Sequence, residues 1–130
     1  MIFDTIVAPA TPPGYGGVSI IRISGNLAEI ILKKVSKRNI SFLDRVATFS
    51  GFYNKSGEKI DDALITFFKN PSSYTGEDVV EISCHGNPFV VDQLVSVICN
   101  AGARIAEPGE FTKRAFLNGK LDLIQAESVS

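Results

Sequence analysis

One histidine and two cysteines are all that this 130-residue chain offers a soft metal, and they do not make a site. A zinc centre needs about four well-spaced nitrogen or sulfur ligands. Cys84 and His85 are adjacent, so in an extended strand they point to opposite faces. No CxxC or HExxH motif occurs, and no metal site is expected. The two thiols also lack the spacing of a disulfide framework. Cys84 and Cys99 sit in apolar surroundings and read as free, buried cysteines of a reducing cytosol, so a cytoplasmic protein without a Cys84–Cys99 bridge is expected.

Charge of one sign is missing as well. The formal net charge is −1, whereas a domain that grips nucleic acid alone carries a basic excess on one face. The one basic cluster, Lys33, Lys34, Lys37 and Arg38, fits the solvated end of a helix. No run approaches the ~20 apolar residues of a membrane helix, and the start MIFDTIVAPATPPG lacks the basic region of a secretory signal. No GxxxxGK(S/T) phosphate loop is present, and the glycine-rich TPPGYGGVS precedes a strand rather than a helix. No serine has a recognisable base and orienting partner, so no catalytic residue is assigned.

What is present reads as one domain of mixed elements. Phe3 to Ala8 predicts a strand, followed by a shaped loop from Thr11 to Gly17 and a strand from Val18 to Ser24. A helix over Leu27 to Ser36 is expected, capped by Ser24 or Asn26. Strands over Val46 to Tyr53 and Ile60 to Lys69 flank a turn and form a hairpin. A strand over Glu77 to Cys84 leads into a helix from Pro88 to Cys99, with proline in its first turn. A short strand over Ala103 to Ala106 and a helix over Glu110 to Leu117 follow. Leu121, Ile124 and Val129 then start an amphipathic pattern without a stop signal, which predicts a helix continuing past Ser130 in a longer protein. Hairpins and helices mix without regular βαβ alternation, so the expected fold is α+β with a largely antiparallel sheet and packed helices.

Charges embedded in apolar strands are the candidate functional groups. Arg22 lies in VSIIRIS and Glu81 in DVVEIS, each on the face opposite its apolar neighbours. They either face solvent or pair with one another, or they line a partly covered pocket where a ligand's adjacent N–H groups satisfy the carboxylate. Glu77 and Asp78 read as solvated, His85 as a hydrogen-bonded structural residue, and Gly76 and Gly86 as points of close backbone approach. Glu110 with Lys113 and Arg114 predicts a salt bridge within a helix. Lys120, after Asn118-Gly119, is free to swing toward a ligand.

Three ordered blocks, DTIVAPATPPGYGGVSIIRISG, SYTGEDVVEISCHGNP and RIAEPGEFTKRAFLNGKLDLIQAES, resemble the amino-terminal domain of the MnmE/TrmE family of tRNA-modification GTPases. The resemblance implies a domain similar to the folate-binding domain of aminomethyltransferases. It implies a tetrahydrofolate-binding and dimerisation domain over residues 1–118, and the start of a helical domain over residues 119–130. The implied cofactor is a tetrahydrofolate derivative, 5-formyl- or 5,10-methylene-tetrahydrofolate, with GTP, potassium and magnesium confined to a GTPase domain elsewhere. The implied partners are a second copy in a homodimer, a flavoprotein of the MnmG/GidA type and, in the full complex, tRNA. The implied reaction adds an aminomethyl-type group to C5 of the wobble uridine. The family positions linked to folate fall on Arg22, Glu81 and Lys120. Glu81 would take the amino edge of the pterin, and Arg22 and Lys120 the ring carbonyl or the anionic tail, in an order left open. Two departures stand out. Tyr15 replaces a common loop arginine, and Asn87 replaces the second glycine of a common HGG. A dimerisation module without a working folate site is the alternative reading.

Overall fold

The computed structural model describes residues 4–39 and 41–122. Strands β1 (Ile6–Pro9), β2 (Val18–Ser24), β3 (Thr48–Tyr53), β4 (Lys59–Phe68), β5 (Val79–His85) and β6 (Arg104–Ile105) form one sheet. Helices α1 (Ala28–Ser36), α2 (Pro88–Asn100) and α3 (Glu110–Leu117) complete the described elements. The strand order is β3-β4-β5-β2-β1-β6, and every pairing is antiparallel except β1 with β6. The fold is α+β, as the mixed order of hairpins and helices predicts.

Alternation divides the sheet into two faces. Val7, Ile21, Ile23, Ala63, Ile65, Phe67, Val80 and Ile82 point to one face, where they form the main core with Ala28, Ile31, Leu32 and Val35 of α1 and Leu94 and Ile98 of α2. Each helix presents a stripe with 3–4-residue spacing, which is what lets a short helix bury one side against a sheet. Ile21 and Ile23 therefore belong to the core and leave no apolar surface for a partner.

The second face is organised in rows across four strands. Phe68, Val79, Ser24 and Ile6 form the first; Thr66, Glu81, Arg22 and Ala8 the second; Leu64, Ser83 and Ile20, with Phe49 beside Leu64, the third. Ile6, Ser24 and Val79 of the first row are buried, at the end of the sheet where Phe111 of α3 approaches Arg22. Phe49 and Leu64 of the third row are exposed.

Several boundaries differ from the sequence-based expectation. Neither Ser24 nor Asn26 caps α1: the N-cap is Leu27, with no side-chain cap bond. The Ser24 hydroxyl is held by Thr75 and Glu77, and the Leu27 N–H donates to Thr5 Oγ1 at 2.9 Å instead. β3 begins at Thr48 rather than Val46, because the chain at Asp44 and Arg45 bridges to Phe67. β5 begins at Val79 because Asp78 serves the preceding loop, its carboxylate accepting from the backbone and side chain of Asn70. The Asn54 side chain shapes the β3–β4 turn by accepting from the N–H groups of Ser56 and Glu58. Asn87 caps α2 by accepting from the Phe89 N–H. The first strand begins at Ile6 rather than Phe3: Asp4 and Thr5 precede it, and Phe3 lies outside the described residues, as do Ile124 and Val129 and with them the amphipathic pattern after Leu121. Among the described residues no helix is long and apolar enough to cross a membrane.

Candidate functional site

The charged row of the second face is the starting point. Cross-strand register sets Arg22 directly opposite Glu81, and Arg22 Nε and Nη2 donate to the same oxygen, Glu81 Oε2, at 3.0 and 2.8 Å. The two side chains are 24% and 27% exposed, which is sheltered for a charged pair on a sheet face. The Arg22 guanidinium also lies 5.3 Å from the Tyr74 ring and 5.6 Å from the Phe111 ring, within cation–π range. Tyr74 is tied to α3 by a 2.8 Å hydrogen bond between its hydroxyl and Thr112 Oγ1. Arg22 is thus fixed on several sides. Among the described residues no hydrogen bond reaches Glu81 Oε1, which leaves one oxygen with its full accepting capacity.

A cavity of about 470 Å³ opens beside that carboxylate, lined by Arg45, Phe68, Ser72, Ser73, Tyr74, Val79, Glu81 and Lys120. Its size suits a small-molecule site, which typically occupies about 300–1,000 Å³. Lys120 reaches it through local backbone geometry. Asn118 closes α3 and donates from Nδ2 to the Thr75 carbonyl at 2.8 Å, and the Lys120 N–H returns to the Ala115 carbonyl at 2.8 Å. Gly76 makes this approach possible. It has φ +83°, and a Cβ there would stand 3.0 Å from Asn118 Cβ and 3.4 Å from Lys120 Cγ.

Glu81 and Lys120 therefore share one cavity, while Arg22 stands behind Glu81 and does not line it. Arg45 does line it, and it is the residue that sequence reasoning missed. A single arginine in FLDRVATF carries no pattern, and it reaches the cavity only through the bridge between Asp44 and Phe67. Its Nη2 donates to the Ser72 carbonyl, and its guanidinium lies 5.1 Å from the Phe68 ring.

A second set of charges holds the wall of the site. Arg114 is 1% exposed; its Nη1 donates to Glu77 Oε1 at 3.1 Å and its Nη2 to Glu110 Oε2 at 3.2 Å. Glu110 also accepts from Arg104, which in turn meets Asp4. The helical spacing predicts the Glu110–Arg114 contact. The partnership with Glu77, read from sequence as solvated, depends on how α3 lies across the start of β5. Hydrogen bonds from Arg104, and lesser ones from the Glu107 N–H and Arg114, hold the Glu110 carboxyl well below its usual range, at about 2, against the opposing effect of burial.

His85 has a structural role: its Nδ1 lies 2.7 Å from Asp61 Oδ1 and its N–H donates to Asp61 Oδ2. Gly86 packs against the Thr11–Gly17 loop through paired backbone bonds with Gly16 and Gly17, and a Cβ would fall 2.3 Å from the Gly16 carbonyl oxygen. Cys84 and Cys99 are free thiols, and burial pushes Cys84 up to about 11. Among the described residues no cluster of three histidine, cysteine or acidic side chains is arranged to hold a metal.

The sequence pattern described as "GTP-binding protein TrmE N-terminus" matches residues 5–120. Curated relatives agree along nearly the whole chain. Proteins named "tRNA modification GTPase MnmE" are 53% identical over 127 residues in Aliarcobacter butzleri and 57% identical over 127 residues in Francisella tularensis subsp. holarctica. A third, from Thermotoga maritima, is 51% identical over 126 residues. These alignments cover 97–98% of this chain but 28% of each relative. A chain whose sheet, helices and sheltered charge pair lie within the matched residues 5–120 belongs to the family of the GTP-binding protein TrmE N-terminus.

Proposed function

We propose that this domain binds a tetrahydrofolate derivative in the cavity between Glu81 and Lys120, as the cofactor-holding part of a tRNA-modifying GTPase. One observation carries the reading: Glu81 lines the cavity and is anchored by Arg22 through Oε2 alone, with no hydrogen bond to Oε1 among the described residues. A pterin presents a 2-amino group beside a ring N–H. One of these donates to Oε1 directly, and the second reaches Oε2 by displacing one of the two Arg22 bonds. Arg22 acts as a positioning residue that aims the carboxylate. Tyr74 supplies an aromatic wall and Lys120 a cation for the ring carbonyl or the anionic tail. The residues present fit this group, since they offer an acceptor for its donor edge and a cation for its anionic end. The bound folate would supply a one-carbon unit, as 5-formyl- or 5,10-methylene-tetrahydrofolate.

The wider role is proposed at the level of the longer relatives. The parent GTPase, with GTP, potassium and magnesium in another domain, would work in the cytoplasm with a flavoprotein of the MnmG/GidA type. Together they would add an aminomethyl-type group to the wobble uridine of certain tRNAs. This domain would also join two subunits. The exposed Phe49 and Leu64 on the open third row of the sheet support that part.

Calorimetry with 5-formyl-tetrahydrofolate tests the reading. Glu81→Gln should weaken binding by about 1–3 kcal/mol, the value of one charge-assisted contact. Arg22→Ala should weaken it too, by releasing the carboxylate. Unchanged affinity in Glu81→Gln would remove this carboxylate from the site. A wild-type protein that binds no folate but still dimerises would favour the pure assembly module.

A further inference from the structure

We propose that Arg45 anchors the carboxylates of the glutamate tail, so that the site selects tailed folates over bare pterins. This inference rests on the folate reading above and adds a residue and a ligand preference to it. Arg45, Glu81 and Lys120 line the same cavity. Glu81 is already matched by Arg22 at 2.8 Å, so Arg45 and Lys120 leave the cavity with an excess of positive charge in a chain whose net charge is −1. Among the described residues no carboxylate comes within ion-pair distance of Lys120, and the one acid beside Arg45 is Asp44, at 3.6 Å from Nε. That contact is long and half-exposed, and the other Asp44 oxygen accepts from the Lys69 N–H at 2.7 Å. An anion entering the cavity therefore meets two cations whose charge is only partly offset.

Arg45 is also set in place before any ligand arrives. Its backbone has φ +60°, and its N–H donates to the Phe67 carbonyl at 2.7 Å. Its side chain is held by the Phe68 ring at 5.1 Å and by the Ser72 carbonyl. A long side chain already ordered loses less entropy on binding, and a planar guanidinium matches a carboxylate better than an ammonium does. A folate has its donor edge at the pterin end and its carboxylates at the other. With the pterin at Glu81, the remaining charged groups of the cavity suit the tail.

The test titrates the full chain with three probes: 5-formyl-tetrahydrofolate, its triglutamate form and the tail-less 6-methyltetrahydropterin. The first two are read by calorimetry and the third, at millimolar concentration, by ligand-observed NMR. Arg45→Ala should weaken both tailed ligands roughly 5- to 20-fold, the size of one charge-assisted contact at a half-exposed position, and leave the tail-less pterin unchanged. Arg45→Lys should recover part of the loss. Equal weakening of all three probes would mean that Arg45 only shapes the Ser72 loop, and no weakening would mean that it touches no ligand; either overturns the proposal. If the wild type binds none of the three, the folate reading fails and this inference fails with it. If the wild type binds folates and only Arg45→Ala is silent, this inference alone fails.

Discussion

Glu77 and Arg114 lie 37 residues apart in sequence and meet at 3.1 Å, with the arginine almost wholly buried. This contact pins α3 to the start of β5 and so positions Asn118 and Lys120 at the cavity. A buried guanidinium that loses one of its two carboxylates keeps only Glu110, at 3.2 Å, to offset its desolvation.

Replacing Glu77 by Gln should therefore cost about 1–3 kcal/mol of stability, the value of one charge-assisted contact, because Arg114 keeps Glu110. The double variant Glu77→Gln/Arg114→Leu should recover part of that loss, because it also removes the buried charge that Glu110 alone then offsets. Urea denaturation of the three proteins checks both outcomes. A Glu77→Gln midpoint equal to wild type would show that the pair does not hold α3.

Acid stability should depend on Glu110. Its carboxyl titrates at about 2 in the folded chain against an ordinary value of 4.5. A group whose pKa is lowered by folding stabilises the fold at pH above its unfolded value. That contribution is complete above about pH 5 and is lost as pH falls from about 4.5 to about 2. Thermal melts between pH 6 and pH 2 should show this decline, and Glu110→Gln should be less stable near neutrality with a shallower acid limb. Parallel curves for the two proteins would refute the assignment.

The open third row should carry subunit contact if this domain dimerises. Phe49 and Leu64 are cross-strand partners, 62% and 45% exposed. Leu64→Glu puts a charge in that row without touching the core, so it should raise the fraction of monomer by at least tenfold at tens of micromolar, by sedimentation velocity, and leave the melting temperature of the monomer near its original value. A dimer unaffected by both Leu64→Glu and Phe49→Glu would move the interface elsewhere.

Local features of the sequence foretold the order of elements. The strand Val18–Ser24 and the helix Glu110–Leu117 have the bounds that their patterns predict. Both are governed by interactions within a few residues: alternation along a strand, i to i+4 spacing along a helix. The α1 cap departs from its local pattern for a tertiary reason. Ser24 has the right chemistry for a cap, but a hydroxyl serves whichever partner the tertiary fold brings nearest, and here that is Thr75 and Glu77.

The sequence by itself determined which side chains share a strand face, because the alternation of VSIIRIS and DVVEIS leaves Arg22 and Glu81 no other side to occupy. Only the tertiary structure decided that the two stand opposite one another, that Lys120 joins Glu81 and not Arg22 at the cavity, and that Arg45 comes in beside them. The reason is register and loop path. A shift of one residue between β2 and β5 would part the charges, and the placement of Arg45 and Lys120 rests on backbone bonds to Phe67 and Ala115 that no local pattern encodes.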